Sequence, residues 1–514
     1  MSEVSLLNDV LGPVMRGPSS SHTAGPFFIG RAVRDILGRT PAEAAIFFDP
    51  AGSFARVYRD QRSDLGFAAG LLGLPITDPD FAAVLTVAPR QGLRLTFAAQ
   101  PIPGADHPNA VLIEALAADG RRRRITAASI GGGQIRLDRL DDTPVAHDGR
   151  RPRLLLVAAA PADPLAEAAR LQPAPQLRLF ANAADPSGRT AVCEGDEAAL
   201  RSLADRARAA GTLQADLLPA TALPVQHAPP WSLDSVASVI AAAGPGGRLS
   251  QVGLRYEARL LGLTEAQAAA EMGRRWTVMA DAVADGLRGA APALPLRFLT
   301  PTAAGFMQAG RDGRLLCGGL LGVASAAALA VMEINSTGGV VCAAPTAGSA
   351  GVIPGLLYAM RQERHVATDR LVDALWAMGV VGAMVAERAT FAAEVCGCAA
   401  EVGVAAAMAA AGLAELAGAA LPECLEAATL ALMNSLGLVC DPVQGAVEIP
   451  CHARNLGAVA QALVAAEAVR GGFRPGLPLD EVIDCLRDVG RQLPATLRCT
   501  SLGGLAATPT ARRL

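Results

Sequence analysis

The chain has 514 residues, of which 51% are hydrophobic and 18% are charged. This length accommodates about two to four domains, and the composition supports large buried cores rather than a disordered protein. The formal net charge is −3 at pH 7, so the basic excess typical of nucleic-acid-binding proteins is absent. The chain opens without the charged and apolar regions of a secretory signal peptide, which predicts a cytoplasmic protein.

The longest uncharged apolar run, Leu315 to Met332, only reaches the length of a membrane span. It is rich in Ala and Gly, and it continues into Glu333 and Asn335. We therefore expect a buried helix and no membrane partner.

All 45 basic residues are arginine, so the sequence contains no lysine. A pyridoxal-phosphate enzyme needs a lysine for its Schiff base, and a Walker-type phosphate loop needs one for its phosphates. Both classes are excluded. The ten cysteines argue against a disulfide framework in a chain without a secretory signal. Nine of them lie between Cys317 and Cys499, which favours metal chemistry in the C-terminal half.

Residues 1–150 show the pattern of a mixed α/β domain. A helix is predicted to begin within Val4–Val10, and an amphipathic helix is predicted from Phe28 to Leu37. Strands are predicted at Ala44–Phe48, Leu93–Ala98 and Ile125–Ile130, and a glycine turn is predicted at residues 131–133.

The loop before the amphipathic helix carries hydroxyl groups and an imidazole, from Ser19, Ser20, Ser21, His22 and Thr23. Such side chains, with free backbone N–H groups ahead of a helix, can bind a carboxylate or a phosphate. Ser and Thr are also the commonest helix caps. The residues alone leave both interpretations open.

Residues 151–222 predict a βαββαβ unit of the ferredoxin-like type. Its predicted elements are Leu154–Ala158, Pro164–Leu171, Leu177–Ala181, Thr190–Glu194, Glu197–Ala210 and Leu213–Leu218. A small-molecule sensor and a structural spacer are both compatible with this unit. A Pro- and Ala-rich linker, Ala220–Trp231, follows, and residues 232–514 are predicted to be helical almost throughout.

Three cysteines within Glu394–Asn455 lie at turns, next to or near glycine or proline. They are Cys398, Cys440 and Cys451. Three thiolates from separate turns can hold a [4Fe-4S] cluster by three corners and leave one iron open to substrate. Free cysteines are also ordinary buried residues, so the spacing alone leaves both interpretations open.

The same turns resemble the catalytic subunit of the iron-sulfur L-serine dehydratases, also called L-serine ammonia-lyases. The matching stretches are Cys398–Gly403, Cys440–Val443 and Pro450–Asn455, together with residues 335–351 and 503–510. The loop at residues 17–26 resembles the smaller domain of these enzymes. The resemblance covers nearly the whole chain in the order of the family.

The resemblance implies three parts. These are a beta-type serine dehydratase α/β domain at 1–150, an ACT-like domain at 151–222 and an all-helical iron-sulfur alpha domain at 232–514. It also implies a homodimer that converts L-serine into pyruvate and ammonia with a [4Fe-4S] cluster and no pyridoxal phosphate. The open iron would act as a Lewis acid on the β-hydroxyl.

Carried over residue by residue, the resemblance implies cluster ligation by Cys398, Cys440 and Cys451. It leaves Cys396 as a packing residue, because Cys398 keeps the phase of the Cys-x-x-Glu-Val-Gly motif. The implied catalytic residues are His22 and Ser21. The implied substrate-binding residues are Ser19, Ser20, Thr23, Asp64, Asn335, Thr346, Gly348 and Ser349.

Three departures set this chain apart from the family. One is its end at Arg512–Leu514, without the terminal cysteine with which some single-chain members plug the open iron. The other two are altered runs. A Gly-His-Gly-Thr-Asp run is replaced by Asp60–Asp64, which keeps the aspartate but lacks the histidine. A second run loses its lysine near Thr300–Gly305. Arg62 lies in the first altered run and could bind a substrate carboxylate, or it could lie on a solvated turn. Three functions therefore stay open: serine dehydration, the same chemistry on another β-substituted amino acid, and a non-catalytic amino-acid sensor.

Overall fold

The computed structural model describes residues 3–158, 162–171, 177–289 and 294–514. Mixed α/β structure in the N-terminal part is followed by a long helical region. This order confirms the coarse fold class predicted from the sequence. The domain boundaries at residues 150 and 222 stay predictions.

A six-stranded sheet forms the framework of the N-terminal region. The elements there are β1 (Val14–Arg16), α1 (Gly25–Leu37), β2 (Glu43–Phe48), α2 (Phe54–Val57), α3 (Ser63–Leu72), α4 (Val84–Arg90), β3 (Arg94–Ala99), β4 (Ala110–Leu116), β5 (Arg122–Gly131), β6 (Gln134–Leu140) and β7 (Thr143–His147). The sheet order is β3-β2-β4-β5-β6-β7, and only β2 and β3 are parallel neighbours. The three strands predicted here are confirmed with small shifts at their ends.

Helices α1 and α3 pack closely against each other. A Cβ atom at Gly70 would lie 2.1 Å from the carbonyl oxygen of Phe27, so only glycine permits this approach. The contact brings the loop that precedes α1 beside the turn that precedes α3, where Thr23 Oγ1 donates to the carbonyl of Gln61 at 2.8 Å.

The second sheet contains the predicted βαββαβ unit. Its elements are β8 (Arg153–Ala158), α5 (Pro164–Arg170), β9 (Arg178–Ala181), β10 (Thr190–Glu194), α6 (Glu197–Ala210) and β11 (Leu213–Leu218). The strand order is β11-β8-β10-β9 and every pair is antiparallel. This is the connectivity expected of a ferredoxin-like unit.

In residues 232–289 and 294–514, the C-terminal region is helical apart from one short strand. Its elements are α7 (Val236–Ala243), α8 (Leu249–Leu261), α9 (Glu265–Arg288), α10 (Ala303–Arg311), α11 (Gly319–Ser336), β12 (Val340–Cys342), α12 (Val352–Arg364), α13 (Thr368–Arg388), α14 (Ala393–Cys396), α15 (Val402–Leu416), α16 (Leu421–Met433), α17 (Cys451–Arg470) and α18 (Leu479–Gln492). Helix α15 is buried almost all round, and its many alanine and glycine residues let α13, α16 and α17 pack against it.

The start of the chain joins the N-terminal and helical regions. Strand β1 pairs with β12 in an antiparallel ribbon. A π-helical turn, Leu6–Val10, takes the place of the α-helix predicted within Val4–Val10 and lies in the core of the helical region. The buried carboxylate of Glu257 accepts hydrogen bonds from Ser5 Oγ and from the backbone N–H groups of Leu6 and Leu7. These contacts hold the following loop, residues 17–26, against the helices.

One helix within the described ranges, α11, is long and apolar enough to cross a membrane. Its apolar 18-residue window is 72% buried among the other helices, as the sequence predicted for a core helix. The helix ends at Ser336, beside the candidate site, and carries Asn335 in its last turn.

Candidate metal centre and active site

Three cysteines meet where α15 and α17 begin. Cys398 lies in a 3-10 turn just before α15, Cys451 is the first residue of α17, and Cys440 lies in the connection between α16 and α17. The ligand atoms of Cys398, Cys440 and Glu401 all lie within 4.8 Å of one another. Burial raises the pKa of Cys451, and the negative charges of Cys398 and Glu401 raise it further. Cys398 and Cys440 are buried and Cys451 is half-buried, and the effect of Cys398 on the pKa of Cys451 indicates that the two thiols are neighbours. Thiols are the ligands that bind zinc, copper(I) or iron-sulfur clusters.

A guanidinium group faces these thiols. Arg454 Nη1 donates to Cys398 Sγ at 3.2 Å and to the carbonyl of Val439 at 2.8 Å. Its Nη2 donates to Asp441 Oδ1 at 2.7 Å. The pKa of Cys398 is lowered first by its hydrogen bond with Cys440 and then by the charge of Arg454, against the opposing effect of burial. Arg454 therefore favours a thiolate at Cys398.

A fourth cysteine, which the sequence analysis missed, joins the group. The side chains of Cys398, Cys440 and Cys499 pack together in one buried cluster. Hydrogen bonds of the Cys440 thiol with Cys398 and Cys499, followed by burial, raise the pKa of Cys440. Cys499 precedes the motif at residues 503–510, and no local pattern shows that the end of the chain returns to Cys440.

On the other side of the site, His22 lies between a carboxylate and a hydroxyl. His22 Nδ1 is 3.2 Å from Glu394 Oε1, and Nε2 is 3.1 Å from Ser53 Oγ. All three residues are buried. Burial lowers the pKa of His22, and Glu394 partly opposes this shift. A neutral, oriented imidazole is therefore available for proton transfer.

The predicted hydroxyl residues near His22 have different partners. Ser19 Oγ accepts the backbone N–H of His22 at 3.1 Å, so Ser19 caps this turn. Ser20 Oγ accepts the backbone N–H of Ala347 at 3.4 Å, which joins the loop to the second predicted loop, residues 346–349. The carbonyl of Ser21 accepts the hydroxyl of Ser129 at 2.7 Å. The hydroxyl of Thr23 is directed to Gln61.

The loop at residues 346–349 lies against the cysteines through Glu401. Thr346 Oγ1 and Ser349 Oγ are buried and 3.1 Å apart. A Cβ atom at Gly348 would lie 3.2 Å from Glu401 Oε1, so glycine leaves room for this carboxyl group. Burial raises the pKa of Glu401 well above its usual range, and the charge of Cys398 adds to the effect. Glu401 belongs to the Cys398–Gly403 motif, yet no local pattern indicates its position between thiol and loop.

Two asparagines fasten these loops together. Asn335 Nδ2 donates to the carbonyls of Pro18 at 2.9 Å and Ala347 at 3.1 Å. Asn455 Nδ2 donates to the carbonyl of Gly348 at 2.8 Å, and its Oδ1 accepts the backbone N–H of Gly351 at 3.1 Å. Asn335 therefore positions both predicted binding loops.

Two residues of the altered run lie away from the thiols. The Asp64 carboxylate accepts the adjacent backbone N–H of Leu65 at 2.9 Å. Arg62 Nη2 donates to the carbonyl of Ser336 at 2.7 Å, and Nη1 is 3.5 Å from the carbonyl of Gly17. Burial lowers the pKa of Arg62 to about 10. Arg62 is thus not on a solvated turn, and two of its nitrogens face backbone carbonyls.

The sequence is similar to a known protein family and to several named proteins. A family model described as "Serine dehydratase alpha chain" matches residues 191–506. The chain is 40% identical over 267 residues to "Probable L-serine dehydratase, alpha chain" of Bacillus subtilis (strain 168), covering 52% of this chain and 88% of that protein. It is 45% identical over 183 residues to the protein of the same name from Latilactobacillus sakei, covering 36% and 88%. It is 43% identical over 181 residues to "L-serine dehydratase 2" of Escherichia coli (strain K12), covering 35% and 40%.

Proposed function

Since this chain belongs to the serine dehydratase alpha chain family, we propose that it converts L-serine into pyruvate and ammonia with a [4Fe-4S] cluster and without pyridoxal phosphate. The relatives indicate a lyase and support serine dehydration. The observation that supports the cluster assignment is the close approach of the Cys398 and Cys440 thiols, within 4.8 Å, with Cys451 near enough for the charge of Cys398 to raise its pKa.

The donor set fits an iron-sulfur cluster. Iron-sulfur clusters are held by cysteine thiolates, and the site offers thiols from three separate segments. Arg454 supplies a positive charge beside Cys398, which offsets the negative charge that several thiolates share. Its bond to Asp441 fixes the guanidinium in place, as expected of residues that orient metal ligands.

When bound, the cluster would supply a Lewis-acidic iron for the β-hydroxyl of the substrate. Removal of the α-proton falls to a residue of this chain, and we assign it to His22. The Nδ1 proton of His22 is directed to Glu394, so Nε2 is the nitrogen that can accept a proton. Ser53 has a single hydroxyl proton and two acceptors within reach, His22 Nε2 and the carbonyl of Cys499, both at 3.1 Å. Ser53 can therefore release Nε2 by turning its proton toward Cys499.

The substrate carboxylate is assigned to the loops on the His22 side. Ser20, Ser21, Thr346 and Ser349 are buried there, and the two loops approach each other through the Ala347 N–H and Ser20 Oγ. Hydroxyl and backbone N–H donors suit a carboxylate. Ser19, Thr23 and Asn335 have roles in shaping these loops, and Asp64 is assigned no direct contact.

A second candidate is the same reaction on a different β-substituted amino acid. Gln61 occupies the place where the resemblance expects a histidine, and its Nε2 donates to Cys499 Sγ at 3.6 Å. A neutral amide in place of an imidazole changes the polarity next to the thiols. It therefore changes which substrate side chain fits there.

Three less specific assignments complete the proposal. The βαββαβ unit would serve as an ACT-like sensor of a small molecule, the protein would act as a homodimer, and it would work in the cytoplasm.

The direct test is anaerobic reconstitution with iron and sulfide, followed by assays with L-serine, L-threonine, L-cysteine and β-chloroalanine. We expect pyruvate and ammonia from L-serine. A better rate with another member of the panel would favour the second candidate. A full cluster with no turnover of any member would contradict both and favour a sensor.

A further inference from the structure

A large cavity lies away from the thiols, where distant parts of the chain meet. Its walls come from α1, the residues that follow α3, the start of the chain, the segment Thr221–Leu223 and α9. Its volume of about 670 Å³ is in the range of cavities that bind small organic molecules. The metal centre and the substrate loops contribute no residue to its described lining. A ligand bound here would therefore be separate from the substrate.

Part of the lining is apolar. It consists of half-buried side chains from four segments of the chain, namely Val14, Phe28, Leu74, Ile76 and Leu223. The ring of Phe28 packs edge to face against that of Phe27, with their centres 5.3 Å apart. A ligand with an apolar body would remove the remaining surface of these side chains from water, which favours binding.

The charged part of the lining has an excess of positive groups. Three arginines, Arg31, Arg34 and Arg275, lie there with two carboxylates, Asp35 and Glu271. Arg275 pairs with Glu271 at 3.2 Å. Arg31 and Arg34 share the carboxylate of Asp35, at 3.8 Å and 3.0 Å. One positive charge on α1 is therefore left without a carboxylate of its own among the described ion pairs.

Arg34 lies against Gly73, the glycine that follows α3. A Cβ atom at Gly73 would be 2.6 Å from Arg34 Nε, so glycine leaves the room that the guanidinium occupies. Within the described ranges, Nε is buried without a hydrogen-bond partner, and Nη1 bonds to Asp35. The guanidinium therefore keeps donor capacity that an anion can use.

We propose that this cavity binds a small organic anion with an apolar body, namely an aliphatic carboxylate. The carboxylate accepts hydrogen bonds from Arg31 and Arg34, a pairing for which guanidinium groups are suited, and the aliphatic chain covers the apolar lining. The excess of positive charge favours an anion over an amine. Such a ligand joins α1 to the start of the chain and to α9, so it stabilises the folded protein. Binding here needs neither a metal cluster nor turnover of L-serine.

The test is isothermal titration calorimetry of the full, reconstituted chain with three probes: 4-methylpentanoate, acetate and 3-methylbutylamine. We expect 4-methylpentanoate to bind and to raise the midpoint of thermal unfolding. Acetate should bind at least about ten-fold more weakly, because it covers little apolar surface, and the amine should not bind. Equal affinities for acetate and 4-methylpentanoate, or an amine that binds as tightly as the carboxylate, would overturn the inference. These measurements use the unchanged chain and so do not depend on the folding of any variant.

A double variant, Arg31→Gln with Arg34→Gln, locates the binding. It should weaken the affinity for 4-methylpentanoate at least about ten-fold, as expected when hydrogen bonds to a charged group are lost. Arg201→Gln is the matched control, because Arg201 is also an exposed helical arginine paired with an acid four residues away, and it should bind like the unchanged chain. Circular dichroism checks that each variant is folded. Undiminished binding in the folded double variant, or no binding by the unchanged chain, would overturn this inference and leave the proposed reaction untouched.

Discussion

The two sides of the site are built in different ways. On the cysteine side, Cys398, Cys451 and Arg454 lie at or near the starts of long buried helices, and their positions follow from motifs shared with the family. On the opposite side, His22 and Gln61 lie in loops that are held by contacts with distant segments. The proposed metal ligands thus lie at helix starts, whereas the proposed substrate contacts lie in turns and loops. The altered run Asp60–Asp64 lies on the loop side.

The largest effect should come from removing a predicted ligand on the cysteine side. Cys398→Ala, Cys440→Ala or Cys451→Ala should reduce iron from about four per chain to near zero and abolish activity, since each thiolate holds one corner of the proposed cluster. Iron and sulfide analysis with visible absorption measures this. Cys396→Ala should retain the cluster. Loss of iron in Cys396→Ala, with retention in Cys398→Ala, would reverse the assignment of these two residues.

On the loop side, His22→Asn should lower kcat by about 10²–10⁴-fold, the usual contribution of a general base. Its iron content should stay unchanged, because His22 contacts no thiol among the described hydrogen bonds. Glu394→Gln should give a smaller loss, since it only orients the ring. A variant that loses iron together with activity would move His22 to a structural role.

The pH profile checks the same assignment. Burial lowers the pKa of His22, so the neutral, basic form persists below the ordinary histidine value of about 6.5. The activity should therefore fall on the acid side at a pH below that value. An acid limb at or above it would contradict a buried neutral base, and the limb should disappear in His22→Asn.

Much of the fold could be predicted from local pattern. In the second sheet, β10, α6 and β11 begin and end where the sequence predicted, because short alternating strands and a capped, amphipathic helix are local signals. Helix α3 was missed, since its two buried glycines and lack of a polar face give no helical periodicity.

The candidate site also contains some residues that local patterns indicate and others that they do not. Cys398, Cys440 and Cys451 could be proposed as ligands because they lie in recognisable motifs. Cys499 and Glu394 were not assigned roles, because their meaning depends on contacts between residues more than 50 positions apart in the chain. Tertiary packing, not local sequence, pairs Glu394 with His22.

A smaller effect is expected from changing a residue that stabilises the cysteine ligands but does not bind the metal itself. Arg454→Gln removes the charge beside Cys398 and weakens the link to Asp441. We expect the cluster to assemble but to lose iron to a chelator about 10–100-fold faster, the usual cost of losing a residue that orients metal ligands. Arg470→Gln, near the exposed end of the same helix, is the control. Equal rates of iron loss in the two variants would show that Arg454 does not support the ligands.

The smallest effect should come from Arg62, on the loop side. Its guanidinium joins the turn before α3 to the end of α11, through the carbonyl of Ser336. Arg62→Ala leaves that half-buried carbonyl without its charged donor, so the free energy of unfolding should fall by roughly 1.5–3 kcal/mol, as for other hydrogen bonds to charged groups. The KM for L-serine should change less than ten-fold, because the arginine is directed to backbone carbonyls. Denaturant unfolding and steady-state kinetics separate the two effects, with Arg56→Ala as a control on the neighbouring helix. A KM raised ten-fold or more at unchanged stability would instead mean that Arg62 leaves Ser336 and binds the substrate carboxylate.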